Sequence, residues 1–268
     1  MKKSVSLSLF QGNRTAPILF RSDIENNIPL ISELGYDGVD LFVLDPSAEI
    51  SKKASRLLKD RGLGVGAIMP AALAADNLFL GDADPLIRER IVERMQEIIC
   101  YAAEVGAMVS LGLVRGSVKK NDKVSALLER FQDSIEQLLP ISQPLGVELV
   151  LEPINRYEIN TINSTIEGYD FIARTGLPIG LLLDTFHMNI EDVDIHQSIT
   201  TCGDLVKHVH FLDSNRLAPG MGHMDMKAIH KTLVDIGYEG YLCLESLQGD
   251  DHLAVAHAGI NFFKSIQL

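Results

Sequence analysis

Residues 149–158 read LVLEPINRYE. Three aliphatic residues of the kind that form a buried strand deliver a carboxylate, Glu152, and Pro153 stops the run at once, because proline donates nothing to a strand ladder. A core strand that ends in this way aims its glutamate at whatever lies beyond the sheet. Working outward in both directions, short aliphatic runs recur at 5–9, 39–42, 65–68, 108–111, 147–151, 179–183, 206–211 and 241–244. Longer stretches of helical period alternate with them, at 24–34, 47–60, 85–105, 122–139, 165–174, 195–202, 226–236 and 251–265. Their punctuation agrees. Asp84 precedes Pro85 as an N-cap before a proline at the first helical position, and Gly35, Gly106, Gly176 and Gly237 stand just past helix ends.

Eight strand–helix units in 268 residues predict an α/β chain folded as a (β/α)8 TIM barrel, a single domain over 1–268, since such barrels take ~250 residues. An open doubly wound sheet is the competing architecture. It lacks support because no G-x-G-x-x-G follows the first run.

In a barrel the chemistry sits at the carboxyl ends of the strands. The fifth strand ends in Glu152, the sixth in Asp184 with His187 three residues on, the seventh carries His210 and then Asp213 and Arg216, and the eighth ends in Glu245. One acid after a strand is ordinarily a helix cap, and one histidine in HVHF an ordinary core residue. Four on consecutive strands facing one mouth are different, because three crowded carboxylates repel each other unless a cation lies between them. Two Glu, one Asp and one His make an oxygen-rich shell with one imidazole that suits Mn, Mg, Co or a similar single divalent metal ion. Asp213, His223 and Asp225 are expected to orient such ligands, and His208 to point away from the lumen.

Composition narrows the partners. The net charge of −12 speaks against nucleic acid and against an anionic membrane surface, both of which select lysines and arginines. No apolar run reaches the ~20 residues of a membrane span, and the first residues do not read as a signal peptide. Three widely spaced cysteines, Cys100, Cys202 and Cys243, fit reduced thiols in a cytoplasmic protein, the latter two as buried small hydrophobes. A small anionic substrate, which needs only one or two local arginines, is compatible with all of this.

Four segments carry a resemblance: LEPINRYE (151–158), LLDTFHMNIED (182–192), VHFLDSNRLAPGMGHMD (209–225) and GYEGYLCLES (237–246). With them the sequence resembles the xylose isomerase-like sugar isomerases and epimerases, in the branch of the D-tagatose and D-psicose 3-epimerases, closely in its C-terminal half and in pattern in its N-terminal half. VLDPS (43–47), LGLVRG (111–116) and DSNRLAPGMGH (213–223) are similar to the 5-keto-L-gluconate epimerase subgroup, whereas the tryptophan that ketohexose epimerases place on their substrate has no counterpart in a chain without tryptophan.

The resemblance implies that Glu152, Asp184, His210 and Glu245 bind the metal. It implies that Glu152 and Glu245 also serve as opposed acid/base groups in a cis-enediolate epimerisation, and that Glu158, His187 and Arg216 hold the substrate, a small-molecule sugar or sugar acid. It implies a homo-oligomer, a dimer or tetramer. Arg115, in the subgroup-like loop, is expected to meet a substrate carboxylate as a two-pronged donor. An aldose–ketose isomerase or an inosose dehydratase uses a similar residue set. An abasic-site endonuclease shares the barrel but requires more strand-end histidines and a basic groove.

Overall fold

The computed structural model describes residues 1–13 and 15–266. Eight parallel strands form the sheet: β1 (Lys2–Ser8), β2 (Gly38–Phe42), β3 (Gly64–Met69), β4 (Met108–Ser110), β5 (Leu149–Leu151), β6 (Gly180–Asp184), β7 (Val206–His210) and β8 (Tyr241–Leu244). Each pairs with the next, and β8 returns to β1 in the register Lys2↔Tyr241 to Val5↔Leu244, which closes the barrel. A two-residue strand, Phe20–Arg21, adds to β1. The (β/α)8 expectation is met, and each of the eight aliphatic runs overlaps a barrel strand.

Period-two alternation sorts the side chains. Val5, Leu7, Val39, Leu41, Leu149 and Leu151 enter the large apolar cluster that the strands share with the helices. A smaller apolar cluster joins Ile18, Phe42, Ala67, Met69, Val150 and Leu182. Other inward positions are polar and fully buried, among them Ser4, Asp40, His208 and His210.

The helices are α1 (Ile24–Leu34), α2 (Glu49–Asp60), α3 (Ala71–Ala75), α4 (Pro85–Val105), α5 (Val124–Ser142), α6 (Thr165–Thr175), α7 (Thr185–Glu191), α8 (Ile195–Cys202), α9 (Met226–Asp235) and α10 (His252–Ser265). Asp84 caps α4 as its sequence implies, accepting from Leu86 N–H, and Ser164 and Glu167 form a reciprocal capping box on α6. Two helices lack a counterpart in the sequence reading. The five-residue α3 is below the length at which periodicity can be seen. In α7 the helix starts on the last strand residue with no loop between. The helix expected over 122–139 continues through Pro140 to Ser142.

Arg115 departs from expectation. Its guanidinium is completely buried and makes five hydrogen bonds, to the carbonyls of Gly112, Glu152, Thr161 and Ile162 and to Thr161 Oγ1. No N–H is left for a substrate carboxylate. Burial pulls its pKa down to about 10, so it remains a cation at neutral pH. Arg115 is a bolt between the loop after β4 and the loop after β5, and its bond to the Glu152 carbonyl fixes the end of that strand. Arg115→Met should therefore lower stability by at least about 3 kcal/mol, because several buried carbonyls lose their donor. Urea unfolding measures this loss.

Candidate active site

Glu152, Asp184, His210 and Glu245 come together at the carboxyl ends of β5 to β8, all buried. His210 Nδ1 lies 3.5 Å from Glu152 Oε1, 3.7 Å from Asp184 Oδ2 and 3.5 Å from Glu245 Oε2. One ligand-type atom from each of the four residues falls within 4.8 Å of every other.

Each side chain is held by something local. Asp184 divides its two oxygens: Oδ1 caps α7 by accepting from Phe186 N–H at 2.7 Å and His187 N–H at 3.3 Å. Oδ2 is buried with no hydrogen-bond partner. Glu152 is seated against Gly112, where any Cβ would overlap Glu152 Oε2. His210 presents Nε2 to Asp40 Oδ2 at 3.2 Å. A proton on Nε2 donated to that carboxylate leaves Nδ1 as a lone pair aimed into the cluster, and Nδ1 also lacks a partner.

Two orphaned buried atoms, one on each of two residues in a set of three carboxylates and an imidazole, fit a divalent cation. Buried polar atoms are otherwise almost always paired. A second group, Asp40, His208, His210 and Cys243, is also close. Its chemistry differs: His208 Nε2 stands 2.5 Å from Asp40 Oδ2, a separation that holds a shared proton and leaves no space for an ion between them.

Electrostatics follow from this crowding. Burial pushes Glu245 up to about 8, with repulsion from Glu152 and Asp184 adding to it against the pull of His210 and Arg216. Burial would raise Asp184 too, but His187, His210 and Arg216 outweigh it and hold the group below the usual carboxylate range. For His210, burial disfavours the imidazolium, yet Glu245, Asp184, Asp40 and Glu152 carry its pKa well above the ordinary value.

The expected substrate-holding residues flank the cluster. Arg216 donates to Glu158 Oε1 at 2.7 Å and to Glu245 Oε2 at 3.4 Å, and lies over the Phe186 ring at 4.9 Å. Its backbone is left-handed, φ 59°, a conformation that costs a non-glycine residue about 1–3 kcal/mol. Ser246 Oγ–H and Leu247 N–H both donate to its carbonyl and hold it there. Asn155 Nδ2 donates to His187 Nδ1 at 2.7 Å, so the His187 proton sits on Nε2, which lies 3.7 Å from Asp184 Oδ2 and 3.9 Å from Glu152 Oε1. All five residues Glu152, Glu158, His187, Arg216 and Glu245 line a cavity of about 370 Å³ whose other wall is apolar, including Phe10, Ile18, Phe42, Met69 and Leu113.

Two expectations are corrected. His208 faces inward, not away from the lumen, because residues two apart on a strand share a face, and it braces Asp40 beneath the cluster. Asp213, His223 and Asp225 orient no ligand. Asp213 accepts from Ser214, Gly220 and Met224 N–H groups, His223 pairs with Ser214, and Asp225 caps α9. Asp40 and Asn155 escaped the sequence reading. An aspartate inside the apolar run GVDLF (38–42) and the asparagine of LEPINRYE were the available signals.

Comparison with known proteins identifies the family. The xylose isomerase-like TIM barrel family matches residues 28–266. A ketose 3-epimerase of Arthrobacter globiformis is 28% identical over 83% of this chain and 77% of its own. A 3-dehydro-D-guloside 4-epimerase of Escherichia coli is 27% identical over 84% and 88%. The solved structure of an L-ribulose 3-epimerase superposes with a TM-score of 0.84 at 26% identity, covering 99% of this chain and 94% of that one. The chain belongs to the xylose isomerase-like TIM barrel family and is an enzyme of its sugar isomerase/epimerase group.

Proposed function

We propose that this enzyme is a divalent-metal-dependent epimerase of a ketose, with Glu152 and Glu245 as the two opposed acid/base groups. The observation that carries the reading is the pair of unpartnered buried atoms, Asp184 Oδ2 and His210 Nδ1, set among two glutamates that open onto one sugar-sized cavity.

Inverting a carbon beside a ketone requires removing a proton from one face and delivering one to the other. A cation held by Glu152, Asp184, His210 and Glu245 supplies Lewis acidity toward the ketone, which makes the neighbouring C–H more acidic. Glu152 as a carboxylate takes the proton, and Glu245, the group pushed toward the protonated form, returns one; in the reverse direction the roles exchange. His187 Nε2–H and the Arg216 guanidinium donate to substrate oxygens as negative charge develops. Glu158 holds Arg216 in position and can accept from a hydroxyl.

A neutral ketose fits the cavity better than a sugar acid. Arg216 is the sole lysine or arginine among its described lining residues, and Glu158 and Glu245 already engage it.

Deuterium incorporation followed by NMR in D2O, with Mg²⁺ and a panel of D-fructose, D-tagatose, L-ribulose and 5-keto-gluconates, tests the reading. A neutral ketose should exchange the C–H beside its carbonyl, and Glu152→Gln and Glu245→Gln should each slow that exchange by at least ~10²-fold. Label appearing at an aldehyde-forming carbon would instead indicate aldose–ketose isomerisation. Exchange confined to the keto acids would reverse the substrate assignment.

Two further outcomes follow from the ligand geometry. In the metal-free enzyme the surrounding acids favour a second proton on His210, at Nδ1, and a cation must displace that proton to bind there. Mn²⁺ affinity should therefore rise with pH, and calorimetry in buffers of different ionisation enthalpy should show proton release. Asp40→Asn should weaken Mn²⁺ binding by about 10–100-fold, since the carboxylate that orients a ligand histidine is lost.

A further inference from the structure

A second cavity, of about 310 Å³, adjoins the one that holds the candidate reacting groups. Ala74, Leu113 and Glu158 line both, and the far walls of the second come from residues 79–83 and 116–119. Each of the two volumes alone is near the lower end of the ~300–1,000 Å³ typical of small-molecule sites.

The outer walls are rigid. Leu80 and Gly81 N–H donate to the carbonyls of Val114 and Arg115, and the Asn160 amide pairs with Val118 in both directions, at 2.7 and 3.0 Å. Arg130 donates to the Gly81 carbonyl. A Cβ at Gly81 would come within 2.9 Å of the Arg115 carbonyl, and one at Gly116 within 2.9 Å of Phe79, so the two loops meet at glycines. The space is therefore built in and needs no rearrangement.

Charge in this space is cancelled where it stands. Lys119 pairs with Asp82 at 2.7 Å and Asp122 with Arg130, which leaves no free cation among the described lining residues for a phosphate or carboxylate. What remains for a ligand is the half-buried ring of Phe79, the exposed Ser117 hydroxyl and, at the neck, Glu158. Glu158 Oε1 is taken by Arg216 and Asn155, and Oε2 has no partner among the described residues. An aromatic ring for a C–H face, a hydroxyl and a carboxylate oxygen form the set that binds a neutral polyhydroxylated group.

We infer that the outer cavity is a second glycosyl subsite, so that the enzyme takes a ketose bearing a further sugar unit, with the ketone end at Glu152 and Glu245 and the appended unit beyond Ala74 and Leu113. The inference rests on the epimerase reading for the inner cavity and names its substrate more narrowly.

The test compares kcat/KM with Mn²⁺ for D-fructose and for its 6-O-glucosyl and 4-O-galactosyl derivatives, isomaltulose and lactulose, in the wild type and in Ser117→Trp. Ser117 is exposed and lines the outer cavity, so an indole there is expected to reduce that space without burial of new polar groups. At least one disaccharide should exceed fructose by about tenfold, and the substitution should return that ratio toward one. Fructose preferred over both disaccharides overturns the inference while leaving the epimerase reading intact. If no compound turns over, the epimerase reading fails by itself, and saturation-transfer NMR on the same sugars decides the subsite. Contacts to both rings in the wild type, lost from the appended ring in Ser117→Trp, uphold it. Transfer to one ring alone, or no disaccharide binding, overturns it.

Discussion

Three carboxylates and a histidine buried within a few ångströms of one another are the constraint on which the rest of this structure depends. Left alone, Glu152, Asp184 and Glu245 repel, and their burial makes each charge more expensive. The barrel holds them together by attaching each to a different strand of one closed sheet, so that relief by moving apart would require opening the ladder. Much of the surrounding sequence answers to this. Gly112 makes room for Glu152, Asp40 holds the far side of the His210 ring, and Arg115 fixes the loop on which Glu152 ends.

A second layer of order comes from side chains that perform two tasks with two atoms. Asp184 starts a helix with one oxygen and leaves the other bare. His210 gives one nitrogen to Asp40 and leaves the other bare. Glu158 holds Arg216 with one oxygen and lines both cavities with its carboxylate. The geometry of the bare atoms is thereby inherited from ordinary secondary-structure contacts, which is how a mobile carboxylate becomes a fixed one.

The barrel and its four strand-end residues were legible in the sequence because both rest on short-range patterns: alternation of aliphatic runs with helical period, and a polar residue where each run stops. What escaped depends on pairings far apart in the chain. Nothing near Asp40 announces that His208 and His210, some 170 residues on, will share its oxygen. The inward placement of His208 was nonetheless available from strand parity alone. Arg115 misled because the loop that carries it resembles a subgroup acting on a keto-sugar acid, and only the fold shows four carbonyls already waiting for its guanidinium. The helix α7 was hidden because its N-cap is also the last residue of a strand.

The closure of β8 on β1 has a consequence in time. Glu245 is the last of the four site residues in the chain, and its strand is held on one side by β1, where Ser6 Oγ–H donates to the Leu244 carbonyl, and on the other by β7. During synthesis the earlier strands can pair as they emerge, but the last of the four clustered residues reaches its place only when the final strand inserts between the first and the seventh. Until then the open edges of β1 and β7 and the unneutralised acids of β5 and β6 remain exposed together. Completion of the sheet and completion of the four-residue cluster are thus a single event.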